Sequence, residues 1–163
     1  MDAKDDYPLD TRPPTKDDLL LMCRSLNELG AKYLIVGGFA VIEHGFTRAT
    51  EDIDVLLEAS RENQLKVRKA LEVLPDKAVR ELEDDDLEEY LVVRIADEFV
   101  VDLMLKTCGI TYVESQPEIE VRDIEGVPIP FASAGLLLKM KQTYREKDAL
   151  DRQFLEEKLR KKR

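Results

Sequence analysis

The sequence predicts a single α/β (α+β) domain, and three features of the 163 residues carry that expectation. An amphipathic helical pattern near the N-terminus runs directly into a four-residue apolar strand. Two apolar runs in the middle of the chain read as a hairpin. The chain then closes on helical patterns. No internal repeat or low-complexity linker divides it, and a domain of this length buries roughly 70% of its unfolded surface. The expected organisation is a flexible arm over residues 1–14 and one domain over residues 15–163.

Each element has its own signal. The arm ends in Arg12-Pro13-Pro14. Thr15 then offers an N-cap, with Asp17 and Asp18 in the first turn. Leu19, Met22, Cys23, Leu26 and Leu29 follow at helical spacing until Gly30 closes the helix. Tyr33-Leu34-Ile35-Val36 reads as a strand that stops at Gly37-Gly38. Residues 39–43 suit a short helix closed by His44-Gly45, and a loop with Arg48 and Thr50 leads to a second strand over 52–57. Ser60 caps a helix carrying Leu65, Ala70, Leu71 and Leu74, stopped by Pro75. Residues 76–90 are crowded with acids and read as a weak helix or a loop anchored by Val79, Leu82 and Leu87. Residues 91–95 and 98–105 form the hairpin, turning at Ala96-Asp97. Residues 107–113 carry no clear pattern, and 120–124 and 127–129 are short extended pieces around Gly126. Ser133 caps a helix expected through Tyr144, and a last helix starts near Asp148.

Composition narrows the function. With 44% hydrophobic and 37% charged residues the chain is a soluble globular protein, neither disordered nor membrane-embedded. A net charge of −10 argues against a broad nucleic-acid-binding face, although the basic run 158–163 leaves room for a local one. Read plainly, that run is a solvated helix end. Cys23, Cys108 and the single His44 share no metal-ligand spacing, so zinc is not expected. Two isolated thiols suggest a reducing compartment, the acidic N-terminus has no signal-peptide core, and the apolar runs 33–42 and 127–138 are too short to span a bilayer. The cytoplasm is the expected location.

Asp52 and Asp54 lie two apart on a strand, so their carboxylates share a face while Ile53 and Val55 point away. Side by side they repel unless a cation lies between them, and Mg²⁺ takes hard carboxylate oxygens together with substrate phosphates. Alone, an Asp-x-Asp is equally the solvated start of a strand. Asp102 shifts that balance, because it sits inside the apolar run Val100-Val101-Asp102-Leu103-Met104-Leu105. A carboxylate buried there needs a neutralising partner. Either Arg94 supplies it across the hairpin, or Asp102 is a third metal ligand. We favour the ligand. Gly37-Gly38, between a strand and a helix, would let backbone amides approach a phosphate. Arg48 and Thr50 suit phosphate oxygens, and Arg48 could instead pair with Asp52 or Asp54. The cation-rich run around Lys139, Lys141, Arg145 and Lys147 is either a solvated face or the positive partner of a triphosphate.

Taken together, Gly37-Gly38-Phe39-Ala40, His44-Gly45, Arg48, Thr50 and Asp52-Ile53-Asp54 resemble the nucleotidyltransferase superfamily with its polymerase-β-like fold. More narrowly, the pattern is similar to the small proteins grouped with AbiEii-type abortive-infection toxins. The closing signature of that group matches Lys141, Arg145, Lys147, Asp148 and Asp151, with Lys139 as the alternative register for the lysine. The resemblance implies a mixed, twisted sheet flanked by helices, with the site at one sheet edge. It implies Mg²⁺ or Mn²⁺ on Asp52, Asp54 and Asp102, which are then the catalytic residues. An NTP would meet Gly37, Gly38, Arg48 and Thr50, with Lys141, Arg145 and Lys147 supporting its phosphates. It also implies an RNA or protein acceptor and a possible cognate antitoxin. The alternatives are a nucleotide- or metal-binding regulatory module without turnover, and a phosphohydrolase using the same ions.

Overall fold

The computed structural model describes residues 11–142 and 146–162, with the side chain of Lys147 left out. Of the expected arm, residues 1–10 lie outside the described residues. Residues 11–14 have no regular structure but are fastened to the domain. The Arg12 amide donates to the Glu98 carbonyl at 3.1 Å, and its guanidinium pairs with Asp18 and lies over the Phe99 ring. Asp18 also closes a capping box with Thr15, which fixes the start of helix α1 (Lys16–Glu28).

Six strands form one mixed sheet. In chain order they are β1 (Tyr33–Val36), β2 (Asp52–Leu57), β3 (Val93–Ala96), β4 (Val100–Met104), β7 (Ile119–Ile124) and β8 (Val127–Ala132). Their spatial order is β3-β4-β2-β1-β8-β7, so β3 and β7 are the edges. The pairs β2–β4 and β1–β8 are parallel, and the others antiparallel. A separate two-stranded ribbon, β5 (Lys106–Thr107) and β6 (Ile110–Thr111), turns through Cys108 and Gly109, both at positive φ. That turn explains why residues 107–113 showed no pattern: two tiny strands and the start of helix α5 (Tyr112–Ser115) are crowded into that short stretch.

Helices α2 (Gly37–Glu43), α3 (Arg61–Ala70), α4 (Asp86–Glu89), α6 (Ala134–Met140) and α7 (Glu146–Lys161), with short 3-10 turns at Leu71–Val73, Ala78–Glu81 and Gln116–Glu118, complete the described elements. The core is continuous, from Leu19, Met22 and Leu26 through Ile35, Ile53, Val55 and Leu103 to Phe131, Leu137 and Leu155. Several expectations shift. Leu65 is 64% exposed, and Val67 takes the inward position of α3. Leu91 is 81% exposed and precedes β3, because its would-be partners lie beyond the end of β4. The helix expected over 133–144 ends instead at Met140, with Lys141 as its C-cap and Gln142 already outside it, while Tyr144 lies outside the described residues; the last helix begins at Glu146. Among the described residues no helix is long and apolar enough to cross a membrane.

Candidate active site

The site is a line drawn by strand register. Arg94 on β3 faces Asp102 on β4, Asp102 faces Asp54 on β2, and Asp54 faces Val36 on β1. Paired residues in register present their side chains to one face, so one row crosses four strands. Asp52, two residues before Asp54, joins it on the same face. One oxygen from each of Asp52, Asp54 and Asp102 lies within 4.8 Å of the others. The expected third carboxylate therefore shares the face of the first two, brought there by the parallel pairing of β2 with β4.

Arg94 is there as well. Its Nε donates to Asp102 Oδ1 at 2.9 Å and its Nη2 to Oδ2 at 3.0 Å, while Nη2 lies 3.7 Å from Asp52 Oδ2. The two explanations weighed for Asp102 are thus compatible, since a forked guanidinium uses only part of the oxygens' capacity. Asp102 is 4% exposed and Asp52 9%. Burial pushes the Asp102 carboxyl above its ordinary range, against the pull of Arg94. Asp54 is raised well above that range, first by burial and then by the charges of Asp52 and Asp102, with Lys141 opposing. Three carboxylates gathered this closely offer the hard oxygens that fit a divalent cation such as Mg²⁺ or Mn²⁺.

The glycine pair is shaped by this cluster. Gly37 has φ +68°, and a Cβ there would stand 2.0 Å from Asp54 Oδ2. At Gly38 a Cβ would meet Thr50 Oγ1 at 2.5 Å and Arg48 Nη2 at 3.0 Å. Thr50 in turn donates from Oγ1 to the Asp52 carbonyl at 3.1 Å. The loop before β2, the turn after β1 and the carboxylates are therefore one packed unit, and side chains on the turn would displace it.

Arg48 pairs with neither Asp52 nor Asp54, correcting that alternative. Its Nη2 donates to Asp151 Oδ2 at 2.9 Å, and its Nε lies 2.9 Å from Oδ1. Lys141 is buried, with Nζ 3.2 Å from both Asp148 Oδ1 and Asp151 Oδ2, and the two acidic side chains are fully buried. Lys139 is exposed, 3.8 Å from Glu118. Of the two lysines, Lys141 is the one drawn in beside Asp54. Arg145 lies outside the described residues, as does the side chain of Lys147. His44 closes α2. Its Nε2–H donates to the Ala132 carbonyl at 2.9 Å, and its Nδ1 accepts from Arg122 at 3.3 Å.

No family model and no curated protein sequence matches the chain. Solved structures do. A lincosamide antibiotic adenylyltransferase with lincomycin bound superposes with TM-score 0.59 at 17% identity, covering 89% of this chain and 98% of that one. The antibiotic-resistance factor ANT(2″)-Ia in complex with adenylyl-2″-tobramycin gives 0.58 at 17% identity, covering 86% and 87%. The chain has the nucleotidyltransferase fold.

Sequence reasoning named Asp52, Asp54 and Asp102, which the structure brings together, but not the way the neighbouring cations are held. Arg94 was visible only as a possible ion-pair partner. Asp148 and Asp151 were visible only as part of the closing signature that the resemblance supplied, with nothing local to show that they meet Arg48 and Lys141.

Proposed function

We propose that the protein is a nucleotidyltransferase that moves a nucleotidyl group from an NTP to a hydroxyl acceptor, with Asp52, Asp54 and Asp102 as its catalytic, metal-holding residues. The observation that carries this reading is the carboxylate row: three acids gathered on one face from two parallel strands, with one guanidinium among them. A Mg²⁺ or Mn²⁺ ion held there would supply positive charge for the attacking hydroxyl and the leaving pyrophosphate. In the reaction the acceptor oxygen bonds to the α-phosphorus, and the bond to the bridging oxygen of the β-phosphate breaks. Pyrophosphate leaves with that electron pair, and the hydroxyl proton passes to a carboxylate of the row. Gly37 and Gly38 leave the space in which backbone amides can approach the triphosphate. Thr50 and Arg48 line the same turn, and Lys141, Arg145 and Lys147 would support the phosphates from the C-terminal side.

The solved neighbours modify antibiotics. For this chain the resemblance to AbiEii-type proteins favours an RNA or protein hydroxyl and a toxin–antitoxin setting, with a cognate antitoxin as partner. One observation favours a second reading, a nucleotide- or metal-binding regulatory module without turnover: Arg48 and Lys141 are already paired with buried acids. The test is to incubate the protein with each labelled NTP, Mg²⁺ or Mn²⁺, total RNA and cell lysate. Label transfer by wild type and none by Asp54→Asn is expected. NTP binding without transfer would select the second reading.

A further inference from the structure

We propose that Arg94 is a positioning residue that serves as the site's built-in counter-ion, holding the carboxylate row together and setting how tightly it takes its first divalent cation. This rests on the reading of Asp52, Asp54 and Asp102 as ion ligands.

Three observations converge on it. The register places Arg94 at the edge-strand end of the row, directly opposite Asp102. Its fork occupies both Asp102 oxygens, at 2.9 and 3.0 Å, and the same Nη2 reaches to 3.7 Å from Asp52. The side chain is only 15% exposed, so solvent screens it little. Its charge is permanent, because a guanidinium does not deprotonate in proteins.

Arg94 restrains the first ion, which must share Asp102 with the guanidinium and feels its repulsion. Removing the charge should tighten first-ion binding by at least ~10-fold, since unit charges this close interact strongly even at an effective dielectric near ~20.

The experiment uses Mn²⁺ as probe, followed by the loss of its free-ion electron paramagnetic resonance signal. Wild type, Arg94→Gln, Arg94→Lys and Asp54→Asn are titrated, and each is melted with and without Mn²⁺. Arg94→Gln should bind Mn²⁺ at least ~10-fold more tightly and show a larger Mn²⁺-dependent rise in melting temperature, whereas Arg94→Lys, which keeps the charge, should stay near wild type. An Arg94→Gln protein that folds only with Mn²⁺ supports the same conclusion. Equal or weaker binding by Arg94→Gln overturns it, as does Arg94→Lys matching Arg94→Gln. An Arg94→Gln chain unfolded with and without Mn²⁺ makes the residue a structural ion pair and ends the proposal. If Asp54→Asn binds Mn²⁺ like wild type, the carboxylate row is no ion site, and both readings fall. A normal Asp54-dependent site with an unchanged Arg94→Gln removes the Arg94 role alone.

Discussion

Two charged clusters lie close to Asp54, and they are built on opposite principles. In the carboxylate row, the three acids Asp52, Asp54 and Asp102 face one forked guanidinium among the described residues, so acids outnumber bases there. In the cluster formed by Lys141, Asp148, Asp151 and Arg48, two cations meet two fully buried acids, so among these described side chains the charges match. The row joins neighbouring strands of one sheet, whereas the second cluster ties α7 to the end of α6 and to the loop before β2. Buried charges that cancel are a fastening. Buried charges that do not cancel are a place for something to bind.

The sharpest way to break this comparison is Asp151→Asn. It would leave Arg48 and half of the Lys141 pairing uncompensated in a buried setting. We expect a loss of about 3–5 kcal/mol in urea unfolding, the scale for breaking one partner out of a buried pair. A loss below ~1 kcal/mol would show that the cluster behaves like a surface pair.

Asp54→Asn should do the reverse. It removes like charge from the row and keeps the shape, so metal-free stability should stay level or rise by up to about 1–2 kcal/mol. The variant should also lose the stabilisation that Mg²⁺ gives wild type, about 2.7 kcal/mol at roughly a hundred times the dissociation constant. Differential scanning calorimetry with and without Mg²⁺ reads both. A clear drop in metal-free stability would mean that Asp54 is fastened like Asp151.

A third joint sharpens the contrast, because a neutral ring stands at the residue whose backbone carbonyl holds the same helix α7. His44 sits between the Ala132 carbonyl and Arg122, and Lys158 from α7 donates to the His44 carbonyl at 2.7 Å. Arg122 also pairs with Glu43 and Glu120. Burial lowers the His44 pKa below 6.5, the Ala132 carbonyl pulls the other way, and the charges of Lys158 and Arg122 add to the lowering. The unfolded chain then binds this proton more readily than the native one. Stability from the neutral ring is complete above pH 6.5 and is lost as pH falls through the folded pKa. Melting temperature against pH should therefore fall on the acid side of that value, and His44→Gln should flatten that fall. An identical profile in the variant would assign the pH dependence to the carboxylates.

The smallest effect belongs to Lys139→Ala. An exposed lysine 3.8 Å from Glu118 should change stability by less than ~0.5 kcal/mol in thermal unfolding, whereas Lys141→Ala removes the buried cation that sits between Asp148 and Asp151 and should cost several times more. Similar values for the two lysines would remove the distinction between the rim and the buried cluster.

Much of the chain was readable in one dimension, because the signals are local. Thr15 with Asp18, Ser60 and Ser133 cap their helices as expected. Strand alternation alone places Asp52 and Asp54 on one face and fully buries Ile53 and Val55 on the other.

Tertiary structure decided everything that depends on which distant segments lie side by side. The sequence could not fix whether β2 and β4 pair in parallel with Asp54 opposite Asp102, and one residue of slip would have turned Asp102 to the other face. Nor could it show that Arg94 stands in the row, that Gly37 is required because Asp54 presses against it, or that Arg48 reaches across 103 positions to Asp151. A side chain's periodicity is set by its own backbone, whereas its charge partner is set by the packing of the whole chain.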